Sequence, residues 1–155
     1  MRTIRETLAA QPLFAGLDGD TLDLLAGCAR HQRLKSGARI TVEGQPAGTF
    51  HLIREGRVGL GVYAPERGLV TVETLGRGQV LGWSWLFPPY RWHLDAAAVG
   101  PVATIEFDGV CIRGKCDANP ELGYQMMKRF SGLLDEHVRA MQLRLLDVYT
   151  RGPGD

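Results

Sequence analysis

The period of the apolar positions changes twice along this chain. Ile4, Leu8 and then Leu13-Phe14 follow a short amphipathic helical pattern. Asp18-Gly19-Asp20 offers an N-cap, and Thr21 to Ala29 continues with leucines on one face. From about Arg30 the helical period is lost. Glycines recur at short intervals, at 37, 44, 48, 56, 59, 61, 68, 76, 78 and 82, and short alternating runs lie between them. Arg39–Val42, Phe50–Ile53, Arg57–Tyr63, Leu69–Leu75 and Ala98–Phe107 read as strands. Short strands with glycine-rich turns predict a sandwich or small barrel. The helical period then returns. Asp108 to Asn119 forms a short helix, and Pro120 opens a long one that Asn119 caps. That helix is expected to run to about Tyr149, where Arg151-Gly152-Pro153-Gly154 stops it.

The last helix carries Met127, Phe130, Leu134, Val138, Met141, Leu145 and Val148 at spacings of three and four, flanked by Glu136, Arg139 and Arg144. A helix of about thirty residues is roughly 45 Å long, more than a small domain covers. The stripe therefore predicts a two-fold helix pair between protomers, with Met126 and Leu133 turned inward. Packing of the whole stripe on its own barrel is the alternative.

Length and charge narrow the classes. At 155 residues the chain fits one domain, residues 1–150 with a short tail at 151–155. A net charge of +1 supplies no field for nucleic acid or anionic lipid. No apolar run approaches a membrane span, and Met1 to Glu6 lacks the apolar core of a signal peptide, so a cytoplasmic location is expected. The three cysteines, Cys28, Cys111 and Cys116, form no even disulfide set or CxxC pair and read as reduced structural thiols. His31, His51, His93 and His137 are scattered without metal-binding spacing. Nucleophile-elbow and Walker-type motifs are absent from the sequence. Glu43, Glu55 and Glu73 read as turn or surface residues. The expectation is a protein that is not an enzyme.

Phe14-Ala15-Gly16-Leu17, the run Gly37 to Ala47 with Ile40 and Glu43-Gly44, and Phe50 to Val58 with Gly56 together carry a resemblance. In order and spacing they are similar to the cyclic-nucleotide-binding domains of the Crp/Fnr type. The resemblance implies a mainly β fold, a double-stranded β-helix (a jelly-roll-like barrel) with N-terminal helices and a long C-terminal dimerisation helix. Glu43-Gly44 and Glu55-Gly56 are expected at strand-to-strand corners. The resemblance also implies a phosphate-binding cassette of strand, short helix and loop, here Val80 to Ala96, with a cyclic nucleotide or other small anion as ligand. Gly82 matches the family glycine and Arg91 the arginine that grips the cyclic phosphate. A guanidinium with backbone amides at a helix N-terminus makes a sound anion site.

Two places depart from the family pattern. Trp83 stands where a ribose-binding glutamate belongs, and Trp92-His93 follow the arginine where small residues belong. Tryptophan offers one donor and no acceptor. Losing the ribose bond costs on the order of 1–3 kcal/mol. All three tryptophans fall in this one segment. Three readings follow. Gly82, Trp83, Ser84, Trp85, Arg91, Trp92 and His93 line a pocket for a different anionic ligand, with Tyr90 as a further wall. Alternatively the tryptophans fill the pocket, Arg91 pairs with Asp95, and the domain is an interaction or scaffold module. Ordinary cyclic AMP or cyclic GMP binding is the third. Haem relatives of the fold add a minor redox reading through His93. No helix-turn-helix segment follows the long helix in this sequence, so direct DNA binding is not expected. Output is expected through a homodimer or an unidentified protein partner.

Overall fold

The computed structural model describes residues 2–151; the expected tail beyond Arg151 lies outside the described residues. Helix α1 (Ile4–Ala9), a 3-10 turn (Pro12–Phe14) and α2 (Gly19–Ala26) lead into six strands. These are β1 (Ala29–Leu34), β2 (Arg39–Thr41), β3 (Thr49–Ala64), β4 (Gly68–Leu75), β5 (Val80–Leu81) and β6 (Asp95–Asp108). Helices α3 (Gly109–Ala118) and α4 (Pro120–Arg151) complete the described chain.

The caps expected at Asp18 and Asn119 form, and Asp108 adds one that was not expected. Asp18 accepts a hydrogen bond from the Thr21 amide, Asp108 from that of Cys111 and Asn119 from that of Leu122. All strand pairs are antiparallel, in the order β1-β6-β3-β4, with β2 added to β6 and β5 to β3. The fold is the mainly β, jelly-roll-like barrel with flanking helices that the sequence implies.

Strand β3 corrects one expectation. Two strands with a corner at Glu55-Gly56 were expected, but residues 49–64 form one continuous strand. Its register against β6 shifts on either side of Glu55, so the corner is a bulge. Gly56 adopts φ +86°, and a Cβ there would stand 2.3 Å from the Pro101 carbonyl oxygen. Only glycine lets β3 bend this close beneath β6.

The bend divides the core in two. The first half of β3 sends Phe50 and Leu52 into a cluster with Leu8, Phe14, Trp85, Phe107, Met126 and Phe130, where the helices meet the barrel. The second half sends Val58 and Leu60 into the barrel interior with Leu75, Leu81, Ala96 and Val102. Phe50 stacks on Phe107 at 4.3 Å and meets the edge of Phe130 at 5.1 Å. Helix α4 is thereby fixed to the barrel over its first three turns.

His51 is buried beside this junction. Its Nε2 lies 3.2 Å from the Thr49 hydroxyl, while Nδ1 has no partner. Burial pushes its imidazole down to about 4, opposed by Glu106 and assisted by Arg30. The unfolded chain thus binds a proton the native state refuses between its ordinary value of 6.5 and about 4. Stability is expected to fall by roughly 3 kcal/mol as pH drops across that window. Urea midpoints measured through it should show the slope in the wild type and a flatter line in His51→Gln. An equal slope in both would assign the loss elsewhere.

Candidate functional site

The segment between β5 and β6 begins at Gly82, whose φ of +99° is in the left-handed region. Any Cβ at Gly82 would lie 2.9 Å from the Trp92 ring and 3.3 Å from the Thr49 carbonyl oxygen. A turn follows, closed by the Leu86 amide donating to the Trp83 carbonyl at 3.1 Å. No helix forms between β5 and β6. The helix N-terminus expected to present amides to an anion is therefore replaced by a single turn.

The returning stretch is latched to the loop at residues 44–47. The Gly44 amide donates to the Trp92 carbonyl, Trp92 to Gln45 and Ala47 to Tyr90, at 2.9, 3.0 and 2.7 Å. This extended pairing turns alternate side chains in opposite directions. Trp92 points inward and is buried, while Arg91 and His93 on either side are exposed. The Arg91 guanidinium donates to the Gly44 carbonyl at 2.8 Å. Arg91 does not pair with Asp95, contrary to the filled-pocket expectation. Asp95 takes the Glu43 amide at 2.9 Å, the Tyr63 amide at 3.0 Å and the Arg39 guanidinium at 3.5 Å. Burial alone would raise this carboxyl, but those donors hold it below its ordinary value.

Gly82, Trp83, Ser84, Trp92 and His93 line one small cleft, floored by Thr41, Leu60, Leu81 and Leu94. Its volume is about 70 Å³. Ligand pockets usually offer about 300–1,000 Å³. Neither lysine nor arginine contributes to its lining. Arg91 is thus not brought to the cleft, and Trp92 occupies space beside the glycine instead. Trp85 is also absent from it. Its ring is fully buried, stacked on Phe50 at 4.8 Å and edge-on to Phe130 at 5.2 Å. Of the seven residues expected to bind ligand, five share the cleft and two do not.

Trp83 faces the other way as well. Its ring lies 5.0 Å from that of His137 on α4. His137 Nδ1 stands 3.2 Å from Glu73 Oε2 on β4. One helical turn and more further on, Arg144 donates to the Val72 carbonyl at 3.1 Å. These contacts tie α4 to the cassette and to β4. Between helix and barrel they leave a second cavity of about 650 Å³. Leu52, Leu60 and Leu75 form its apolar floor, Trp83 and Leu133 form walls, and Lys128, Arg129, Glu136 and His137 stand around it. Arg129 donates to the Leu13 carbonyl at 2.8 Å, and its Nε is buried without a partner. Sequence reading missed this cavity. Its residues come from the 3-10 turn, β3, β4, the β4–β5 turn, β5 and α4, and no spacing along the chain joins them.

Most of the expected α4 stripe is open to solvent. Met127, Val138, Met141, Leu145 and Val148 are exposed, as are Leu143, Leu146 and Tyr149. Leu134 is half-buried, and Phe130 is fully buried in the chain's own core. Phe130 therefore does not belong to an outward seam, because it closes the aromatic cluster over Phe50 and Trp85.

A bent antiparallel barrel, closed by a strand–turn–strand cassette and backed by a long helix, defines a class of regulatory binding domain. The chain belongs to the cyclic nucleotide-binding domain family, whose profile matches residues 31–119. Along its sequence it is 23% identical over 150 residues to the CRP-like cAMP-activated global transcriptional regulator of Mycobacterium tuberculosis. That alignment covers 96% of this chain and 65% of the regulator, so the chain spans just under two thirds of its length. Among solved structures it resembles a protein of Geobacter metallireducens described as cyclic nucleotide-binding. The TM-score is 0.80 at 25% identity, covering 89% of this chain and 99% of the other. A cyclic nucleotide-binding domain of Methylobacillus flagellatus gives 0.76 at 20% identity, covering 99% and 84%. No helix among the described residues is long and apolar enough to cross a membrane.

Proposed function

We propose that this domain is a cytoplasmic, non-enzymatic sensor whose ligand enters the cavity beneath α4 rather than the cassette cleft. The observation that carries the reading is the contrast in volume, about 650 Å³ against about 70 Å³. The larger space combines an apolar floor and the Trp83 ring with the cations Lys128 and Arg129, set among Glu73, Glu136 and His137. That chemistry suits a flat, partly apolar anion such as a nucleotide. The M. tuberculosis relative is described as cAMP-activated, which makes cyclic AMP the first compound to try. Occupancy would act on α4, since that helix forms one side of the cavity. A ligand shifts α4 only by as much as it prefers one helix position over another. The exposed face of Val138, Met141 and Leu145 then passes the change to a second copy or to a partner protein.

The test is thermal unfolding with cyclic mono- and dinucleotides and other small anions at millimolar concentration. A ligand at a hundred times its Kd adds about 2.7 kcal/mol. For a domain of this size that raises Tm by several degrees. The shift should survive in Arg91→Ala and disappear in Leu133→Trp, which fills the cavity. Sedimentation of the same samples should show the ligand changing the monomer–dimer balance. A shift lost in Arg91→Ala but kept in Leu133→Trp would return the ligand to the cassette and overturn the reading.

A second reading is favoured by Trp92 against Gly82. There the cassette cleft is permanently filled, and the domain serves as a ligand-free interaction module. Silence across the whole panel, with Tm unchanged, supports that alternative.

A further inference from the structure

The third helix begins at a corner where two thiols meet. Cys28 follows Gly27, the C-cap of α2, and immediately precedes β1. Its carbonyl accepts the Asp108 amide at 2.8 Å. Asp108 in turn caps α3 by accepting the Cys111 amide at 3.0 Å. The same hydrogen-bonded corner therefore fixes both cysteine backbones, although 83 residues separate them. Their Sγ atoms stand 2.8 Å apart, and both thiols are free. A disulfide has an S–S length of about 2.05 Å, so bonding needs less than about 1 Å of closure. Cys116, one and a half turns further along α3, packs near Gly123 and is not part of this contact.

We propose that Cys28 and Cys111 form a peroxide-responsive, reversible disulfide that staples the α2–β1 corner to α3, the helix leading into α4. The two sulfurs differ in access. Cys28 is buried among Leu25, Ile112 and Met126, whereas Cys111 is partly exposed. Burial first, and the hydrogen bond to Cys111 second, raise the Cys28 thiol, while Lys115 pulls in the opposite direction. Cys111 is accordingly the sulfur a small oxidant reaches, and Cys28 the one that resolves.

In the first step the Cys111 thiolate attacks hydrogen peroxide. An S–O bond forms, the O–O bond breaks, and hydroxide leaves to take up the thiol proton as water. The Cys28 sulfur then attacks the Cys111 sulfenic sulfur. The S–S bond forms, the S–O bond breaks, and hydroxide leaves with the Cys28 proton as a second water. Two thiols and one peroxide give one disulfide and two waters, the sulfurs losing the two electrons that peroxide gains. A small dithiol reverses the reaction by exchange.

This disulfide would act on α3, which leads into the α4 of the ligand proposal, but does not depend on that proposal. Stapling the corner removes conformational freedom chiefly from the unfolded chain, and the closed loop is long.

The test uses the full chain treated with equimolar hydrogen peroxide, then alkylated under denaturing conditions. Intact mass should show the loss of two hydrogens and a single alkylated cysteine, against three in the untreated protein. Peptide mapping should join the Cys28 and Cys111 peptides, and Tm should rise by several degrees and return with dithiothreitol. Cys116→Ser should behave as wild type. Cys28→Ser should stop at a sulfenic acid on Cys111 that dimedone captures, which keeps the idea testable should Cys111→Ser fold poorly. Three alkylated cysteines after peroxide, or a crosslink that uses Cys116, would overturn it.

Discussion

Asp95→Ala is expected to lower stability by about 2–4 kcal/mol, because two backbone amides lose their acceptor. The carboxylate sits 4% exposed where β2, β3 and β6 converge. It accepts two backbone amides, from Glu43 and Tyr63, as well as the Arg39 guanidinium. Alanine would leave both amides dry in a place that water does not enter, and each carries a desolvation cost of about 1–3 kcal/mol. Arg39 would lose little more, because it also lies 4.0 Å over the Tyr63 ring and is half exposed. Asp95→Asn should fall between the two, since its amide nitrogen cannot accept from Tyr63. Urea denaturation checks this through a lower midpoint at unchanged m. Asparagine matching the wild type would mean that the charge contributes nothing there. The acid limb should carry the same signature. Because the native Asp95 carboxyl is held below its ordinary 3.8, its contribution is present above that pH and is lost as pH falls further. The His51 loss comes first, between 6.5 and about 4.

Two tryptophans two residues apart should respond to truncation by very different amounts. Trp85→Ala is expected to cost about 3–5 kcal/mol, as large aromatic deletions in cores do. Its ring is 0% exposed and lies between Phe50 and Phe130, so removal opens a hole that neither α4 nor β3 can close. Trp83→Ala should cost about 1 kcal/mol or less in the same urea titration, because its half-buried ring borders the open cavity and loses mainly the His137 contact. Equal losses would mean that both rings are core. A Trp85→Ala protein as stable as wild type would contradict the aromatic cluster that joins α4 to the barrel.

Much of the architecture was legible because it is written in local chemistry. Asp18 and Asn119 announced two helix starts through side-chain oxygens that satisfy amides within three residues. Alternating runs between glycines announced a barrel, and the family pattern around Gly44 and Gly56 specified which one. The segment read as a cassette, Val80 to Ala96, runs from β5 to the start of β6, without the short helix that was expected in it.

The misreadings share one cause. Gly56 looks the same in a corner and in a bulge; Pro101 above it decides which. Phe130 keeps the three–four spacing of an outward seam, yet that spacing cannot tell an outward face from one turned to the chain's own core. Arg91 and Trp92 are neighbours, so a single step of strand alternation exchanges which one faces in. That step is set by hydrogen bonds to residues 44–47, far away in sequence.

The sequence by itself determined the helix–strands–helix order, two of the helix caps, the barrel and the family, because periodicity, capping and turn chemistry act over a few residues; it did not show β1 at Ala29–Leu34. Only the tertiary structure decided that Trp92 turns inward against Gly82 while Arg91 turns out to the Gly44 carbonyl. It also opened the cavity under α4 and set Cys28 against Cys111. Those outcomes depend on which distant segments pack together, and a contact between residues 83 positions apart leaves no local trace in either one.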